Sequence, residues 1–322
     1  MAKYIIKRLL MIIPVLLGVA IVIFTLMYFT PGDPVQMLMP GASEAQINEL
    51  RDSYGLNDPY FVQLGRFLWN TVRGDFGTSY VDQSSVFRSL MYRLPNTIVI
   101  AGSCMLMQII IAIPLGMAAA THQGKWQDYI CMLLAILGVA VPEFLFGMLL
   151  LLAFAMKLNW FPSFGVTTAK GFVLPILTAG VVSLGGITRL TRSQMLEVIR
   201  SDYLVTARMK GVSERAILYR HALPNALIPV ITSMGMSFGR ALGGTVVTET
   251  VFSVPGIGYY MVTAINNRDY PVVRGAVLLF AVMFALVMLL VDIAYAYIDP
   301  RIKAMYEGQQ KRKKKKEVAQ NG

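Results

Sequence analysis

The chain has 322 residues, of which 56% are hydrophobic and 15% charged, with a mean hydropathy of +0.58; soluble domains run nearer about 45–50% apolar and 25% charged. That balance excludes a disordered chain, a disulfide scaffold and an ordinary soluble enzyme, and points to a membrane protein. The formal charge of +11, from 29 Lys and Arg against 18 Asp and Glu, is explained by basic cytoplasmic loops before nucleic acid need be invoked.

A helix needs about 20 apolar residues to cross a hydrocarbon core. Leu9–Phe29 is the first such stretch. It reads as an uncleaved span, because its apolar run exceeds that of a signal peptide and no Ala-x-Ala site follows before Pro31. The next segment, about Thr30–Asn96, is too long for a simple connector. Ser43 and Gln46 have capping-box spacing. Asp58-Pro59 fits an N-cap followed by an N1 proline, with Tyr60, Leu64, Phe67 and Leu68 on one face and Gly74 as the stop. This loop is expected to fold as a helical cap that either covers the bundle or helps to dock a partner or guard a pathway.

Thr97–Ala120 and Ile130–Met156 are the second and third stretches; the third is long and carries Pro142-Glu143, so a tilt or kink is expected there. The fourth, Phe172–Leu190, is diluted by Pro175, Gly180, Gly185 and Gly186, a mix suited to a protein interior rather than lipid. Leu227–Phe252 and Ala276–Ile298 complete six candidate spans. With the N-terminus inside, 19 Lys and Arg fall on the cytoplasmic side, nine on the outer side, and Arg240 within a span. The asymmetry places both termini in the cytoplasm. The basic run Lys311–Lys316 reads as a topology signal on a solvated tail, with contact to anionic lipid as the alternative.

The inner connection Thr191–Asn225 carries the most pattern. Leu196, Ile199, Tyr203 and Ala207 share one helix face. Gly211 can end that helix in a left-handed cap, and Ser213 can open a second short helix through Ala222. Helix, glycine elbow, helix describes either an amphipathic membrane-surface element or a shaped protuberance that fits a socket on another protein.

No phosphate loop, nucleophile elbow or dinucleotide fingerprint occurs, so no ATP site and no catalytic residue is expected on this chain. Cys104, Cys131, His122 and His221 lack metal-ligand spacing, and the 20 methionines read as pliable apolar filler. Ionisable groups within spans are Glu143, Arg240, Glu249 and Asp292, which are pathway or interface candidates. Arg240 and Glu249 fall on opposite faces of one helix, so each must face something different. Glu249 lies near the outer end, where solvation would suffice. Gly235, Gly239 and Gly243 form a small-residue ridge for close helix packing, in the bundle or in a dimer seam.

Val205-Thr206-Ala207, three residues, Gly211, nine residues, then His221-Ala222-Leu223-Pro224 resembles the cytoplasmic coupling motif of bacterial ABC-importer permeases. That pattern is Glu-Ala-Ala, three residues, Gly, nine residues, Ile, any residue, Leu-Pro; Val205, Thr206 and His221 depart from it. Pro31-Gly32-Asp33-Pro34, Gly74-Asp75-Phe76-Gly77, Phe252–Gly258, Arg268–Val273 and Asp299–Ile302 are similar to segments of the dipeptide/oligopeptide/nickel branch. The resemblance implies an all-α, six-span permease of type I. It would form the pathway with a second permease, take cargo from an outer binding protein, and sit on two ATPases that hold ATP and Mg. Thr206, Ala207, Gly211, Val212, Ser213, Glu214, Leu223 and Pro224 would form the ATPase-coupling surface. The division implied is a first span (1–30), an outer cap (31–96), a permease core (97–298) and a basic tail (299–322). An ion-coupled transporter remains the reading from a different class, with Glu143 and the Pro142 break as the features that favour it.

Overall fold

The computed structural model describes residues 2–298; the Lys311–Lys316 tail and Asp299–Ile302 lie outside the described residues. Among those described, the chain is helical, and the one β interaction is an isolated bridge between Thr78 and Ser85. The first long helix, α1 (Ala2–Phe29), tolerates Pro14 within its apolar run. Three short helices follow it: α2 (Pro34–Leu38), α3 (Glu44–Ser53) and α4 (Tyr60–Val72).

Among the described residues, four helical stretches are long and apolar enough to cross a membrane: Ile5–Phe29, Val86–Thr121, Ala169–Ile199 and Tyr270–Ala294. The second is built from α5 (Val86–Met107), a π-helical segment Gln108–Ala112 and α6 (Ile113–Thr121). Its wide turn has a local cause. Pro114 has no N–H to give, and the preceding Ile113 N–H reaches back to the Gln108 carbonyl instead. The same solution recurs before Pro224, where the Leu223 N–H bonds to Leu218 at the end of the π segment Ile217–Ala222.

The third stretch is not a single tilted crossing. The chain turns by 97° between α7 (Trp126–Ala140) and the piece Glu143–Lys157, which comprises α8 (Glu143–Leu150) and a π-helical end. Val141 is extended (ψ 125), the conformation favoured before proline, and the helix stops there instead of passing through Pro142. Counting this pair as one span gives five.

The fourth stretch is the centre of the molecule. Half of its most apolar window is buried, against 17–28% for the other three. Its main part, α9 (Val173–Ile199), packs with close approach at Gly180, against Met107, and at Gly185, against the Ala135 carbonyl, whereas a Cβ on Gly186 would meet nothing within 4 Å. It ends at α10 (Asp202–Met209) and α11 (Glu214–Ala216), and the π segment then runs into α12 (Leu223–Val251). This last helix is 29 residues long but carries Arg240, Glu249 and four glycines, and it is not among the four apolar stretches. The chain closes with α13 (Ile257–Asn266) and α14 (Tyr270–Ile298). Gly235 and Gly239 press on Val291 and Phe284 of α14, whereas Gly243 faces open space, so the ridge read from the sequence is used over part of its length.

Candidate functional site

The elbow stands on a small apolar core. Met195, Leu204, Ile217, Ala222 and Ala226 are buried together with Ala120 of α6, and Leu196, Ile199, Ala207, Val212 and Leu223 border them. The helix face expected through 196, 199, 203 and 207 is interrupted, because α9 ends at Ile199 and α10 starts at Asp202. Ser201 makes the break. Its hydroxyl donates to the Val198 carbonyl at 2.6 Å, and its own carbonyl accepts from Leu204 N at 3.1 Å. The break shifts the phase of the following turn. Leu204 therefore takes the core position, and Tyr203 turns outward, its hydroxyl 3.3 Å from the His221 carbonyl and 3.1 Å from Asn225 Nδ2.

Gly211 adopts φ +78°, the left-handed turn expected of it, with its N–H on the Arg208 carbonyl at 2.9 Å and the Val212 N–H on Ala207 at 3.2 Å. A Cβ built there would touch nothing within 4 Å, so the requirement is one of backbone alone. Ser213 takes the N-cap position of α11 with extended backbone, but its side chain makes no cap bond. Glu214 is 65% exposed and accepts from Arg208 Nε at 2.9 Å across the turn. Thr206 is exposed and bonds the Asp202 carbonyl, while Pro224 sits in the first turn of α12. The outward surface is mixed: Tyr203, Val205, Met209 and Tyr219 are all exposed, Met209 at 84%, among exposed Asp202, Lys210, Glu214, Arg215 and Arg220.

At the other end, the segments singled out in the sequence converge. Gly32 lies under the Arg268 guanidinium, and Tyr270 Oη donates to the Gly32 carbonyl at 3.3 Å. Asp33 caps α2 through Val35 N (2.9 Å) and pairs with Arg51. Asp269 accepts from Ser79 Oγ at 2.5 Å and from Tyr80 N at 3.0 Å. Burial in this corner pushes the Tyr80 hydroxyl above its ordinary pKa. Arg274 lies against the stacked rings of Phe24 and Phe67, 5.4 and 5.0 Å from their centroids, and so pins α4 to α1 and α14. Cavities of about 370 and 290 Å³ lie on either side of it, sharing Phe24, Leu56, Gln63, Tyr80 and Arg274 as lining. Two cap details differ in outcome. The Ser43–Gln46 capping box forms, but α4 starts at Tyr60 with Pro59 as N-cap, because Asp58 is drawn to Arg66 at 2.6 Å.

Glu249 is not solvated: it is 0% exposed. One carboxylate oxygen accepts from Thr97 Oγ1 at 2.7 Å and the other from Tyr259 N at 2.9 Å. The Phe252–Gly258 segment folds around it, and Gly256 leaves no room for a Cβ against the carboxylate. Thr97 also accepts from Ile257 N at 2.9 Å, which completes the cradle. Glu143 opens α8, half-buried, and accepts from the Thr248 hydroxyl. Asp292 meets Arg8 at 3.1 Å, joining α14 to α1. The side chain of Arg240 lies outside the described residues.

The helical order, the motif segments and the elbow now stand beside known proteins. Residues 112–304 match the model of the "binding-protein-dependent transport system inner membrane component" family, and residues 1–101 match its N-terminal membrane component. The chain belongs to this family. The permease is 39% identical to the dipeptide transport permease DppB of Alkalihalophilus pseudofirmus, over 94% of this chain and 100% of that one. It is 40% identical to the oligopeptide permease AppB of Bacillus subtilis and 38% identical to the glutathione permease GsiC of Escherichia coli K12, each over 94% of this chain and 99% of the relative. Among solved structures it is similar in fold to a MetNI methionine ABC transporter chain in an inward-facing conformation. That match has a TM-score of 0.53 at 14% identity and covers 65% of the permease and 96% of the solved chain. Family and apolar helices together make the permease a multi-pass inner-membrane protein of the ABC-importer class.

Proposed function

We propose that the permease is one of two membrane subunits of an ATP-driven importer for di- or oligopeptides, with six spans and both termini in the cytoplasm. In this reading α12 is the fifth span, the Pro142-broken pair the third, and the Thr30–Asn96 cap faces outward. The chain is itself non-catalytic. A second permease, two ATPases holding ATP and Mg, and an outer binding protein complete the machine. The observation that carries the coupling role is the elbow: a backbone-fixed turn at Gly211 whose outer face presents Tyr203, Val205, Met209 and Tyr219 to solvent. Exposed apolar side chains on a rigid mount suit a cleft in a partner. Thr206, Ala207, Val212, Ser213, Glu214, Leu223 and Pro224 frame that surface. The peptide assignment is supported by the dipeptide, oligopeptide and glutathione names of the relatives; nickel or another small solute is the alternative cargo.

The test is a mild-detergent pull-down of the tagged chain from its native membrane, followed by uptake of labelled di- and tripeptides in vesicles with and without ATP. The importer reading expects two ATPase chains, a second permease and ATP-dependent uptake. Gly211→Val, which forces a branched side chain into a left-handed turn, is expected to lose ATPase co-purification or uncouple hydrolysis from uptake. A chain that purifies alone and drives uptake without ATP would overturn the reading in favour of an ion-coupled transporter.

A further inference from the structure

An ion pair with a buried carboxylate and a partly exposed arginine lies beside the elbow and takes no part in the coupling surface. Asp128, in the first turn of α7, has a side chain only 5% exposed. Arg192 of α9 donates Nε to Oδ1 and Nη2 to Oδ2, both at 2.6 Å, and the Gly124 N–H adds a third bond to Oδ2 at 3.1 Å. A fork-on-carboxylate contact of this kind fixes direction as well as distance. A second polar tie follows one end over: Arg200, at the end of α9, donates to Gln123 in the α6–α7 turn at 3.0 Å.

The helices joined by these ties also touch backbone to backbone. A Cβ on Gly116 of α6 would fall 2.6 Å from the Thr188 carbonyl of α9, and one on Gly138 of α7 would fall 3.1 Å from the Val181 carbonyl. Gly185 of α9 sits directly on the Ala135 carbonyl of α7. Surfaces packed this closely do not deform continuously; they move as a unit. The unit has two natural limits. At one end, α9 passes into α10 through the Ser201 break; at the other, α7 stops at the 97° turn before Glu143.

We propose that Asp128 and Arg192 are positioning residues that make α6, α7 and α9 follow the elbow as one body, delivering its displacement to the Pro142 break. The inference rests on the importer reading. Apolar contacts let helices slide past one another, whereas sliding here would strip a buried carboxylate of its partner.

The test uses the complete reconstituted complex, with binding protein, in vesicles. The first readout is labelled di- and tripeptide uptake per ATP hydrolysed. Asp128→Asn and Arg192→Lys are each expected to lower that ratio about tenfold, within the usual range of coupling energies, while the ATPases still co-purify. The reversed pair Asp128→Arg with Arg192→Asp is expected to recover most of the ratio. The second readout is independent of cargo. Spin labels replace exposed Glu197 and Tyr129, on α9 and α7, in a background free of Cys104 and Cys131. Their separation should stay constant between nucleotide-free and ATP-trapped states in the parent and change between them in Asp128→Asn.

A merely structural pair would lower yield while leaving the ratio and the label separation at parental values, and that result overturns the proposal. If Asp128→Asn fails to assemble, Arg192→Lys decides, because it keeps the charge and loses the fork. A parent complex without ATP-driven activity overturns the importer reading itself, and is distinguishable from a parent that works beside variants that behave identically to it.

Discussion

The two ends of the molecule are held by different physics. The cap end, outer in the proposed topology, is tied by side chains across long sequence separations: Asp269 to Ser79, Glu249 to Thr97, Arg274 to two rings. The elbow turn takes its shape from the backbone and rests on a few buried aliphatic residues, with Asp128–Arg192 and Arg200–Gln123 tying the helices behind it, and its outer face leaves Tyr203, Val205, Met209 and Tyr219 exposed among charged residues. The difference bears on what each end can do. The first spends polar contacts on keeping its own shape. The elbow keeps a backbone-fixed turn and leaves side chains on its surface exposed, which suits the coupling role proposed above.

The largest expected effect breaks the outer end. Glu249→Ala removes the acceptor for Thr97 and for the Tyr259 N–H, in a site with no access to water. Each stranded buried group costs about 1–3 kcal/mol, and the lost volume adds a cavity, so a loss of about 3–5 kcal/mol follows. Thermal unfolding in detergent should show a drop in Tm of the outer bundle. An unchanged Tm would mean that the cradle is open to water and the carboxylate replaceable.

The contrast can be sharpened with one substitution at each end. Gly32 and Gly211 both have positive φ, at +108° and +78°. Placing alanine in such backbone costs about 1–2 kcal/mol. At Gly211 nothing else is in the way, so that is the whole cost. At Gly32 the new methyl also lands on the Arg268 guanidinium, and overpacking adds about 1–3 kcal/mol unless the arginine swings away. Gly32→Ala should therefore unfold at lower denaturant concentration than Gly211→Ala. Equal midpoints would show that Arg268 yields freely and that the outer end is softer than its contacts imply.

Much of this was legible because the signals were local. The Ser43–Gln46 box, the Gly74 stop, the Gly211 turn and the break at Pro142 depend on residues within a turn of one another. Failures came where a distant partner decided. Asp58 is an ordinary N-cap by sequence, but Arg66 claims it. Leu204 was missed as core because Ser201 resets the helical phase, a break that apolar spacing alone does not announce. Glu249 was assigned to solvent because its depth in α12 says nothing about a loop folding over it. The pairing of Asp128 with Arg192 spans 64 residues of chain and has no local trace.

The smallest predicted effect tests whether the elbow surface is truly reserved for a partner. Glu214 and Arg208 pair across the turn at 2.9 Å, but the carboxylate is 65% exposed. An ion pair in that setting contributes at most about 1 kcal/mol and is screened by salt. Glu214→Gln should thus leave thermal stability within about 0.5 kcal/mol of the parent. If the pair serves only the turn, ATPase co-purification at low and high salt should be the same for both proteins. If Glu214 instead meets a basic group on the ATPase, the variant should release the ATPase at lower salt than the parent, with stability unmoved. The second result would make Glu214 part of the gripped surface, because a contact absent from the isolated chain can change retention of the partner without changing the fold.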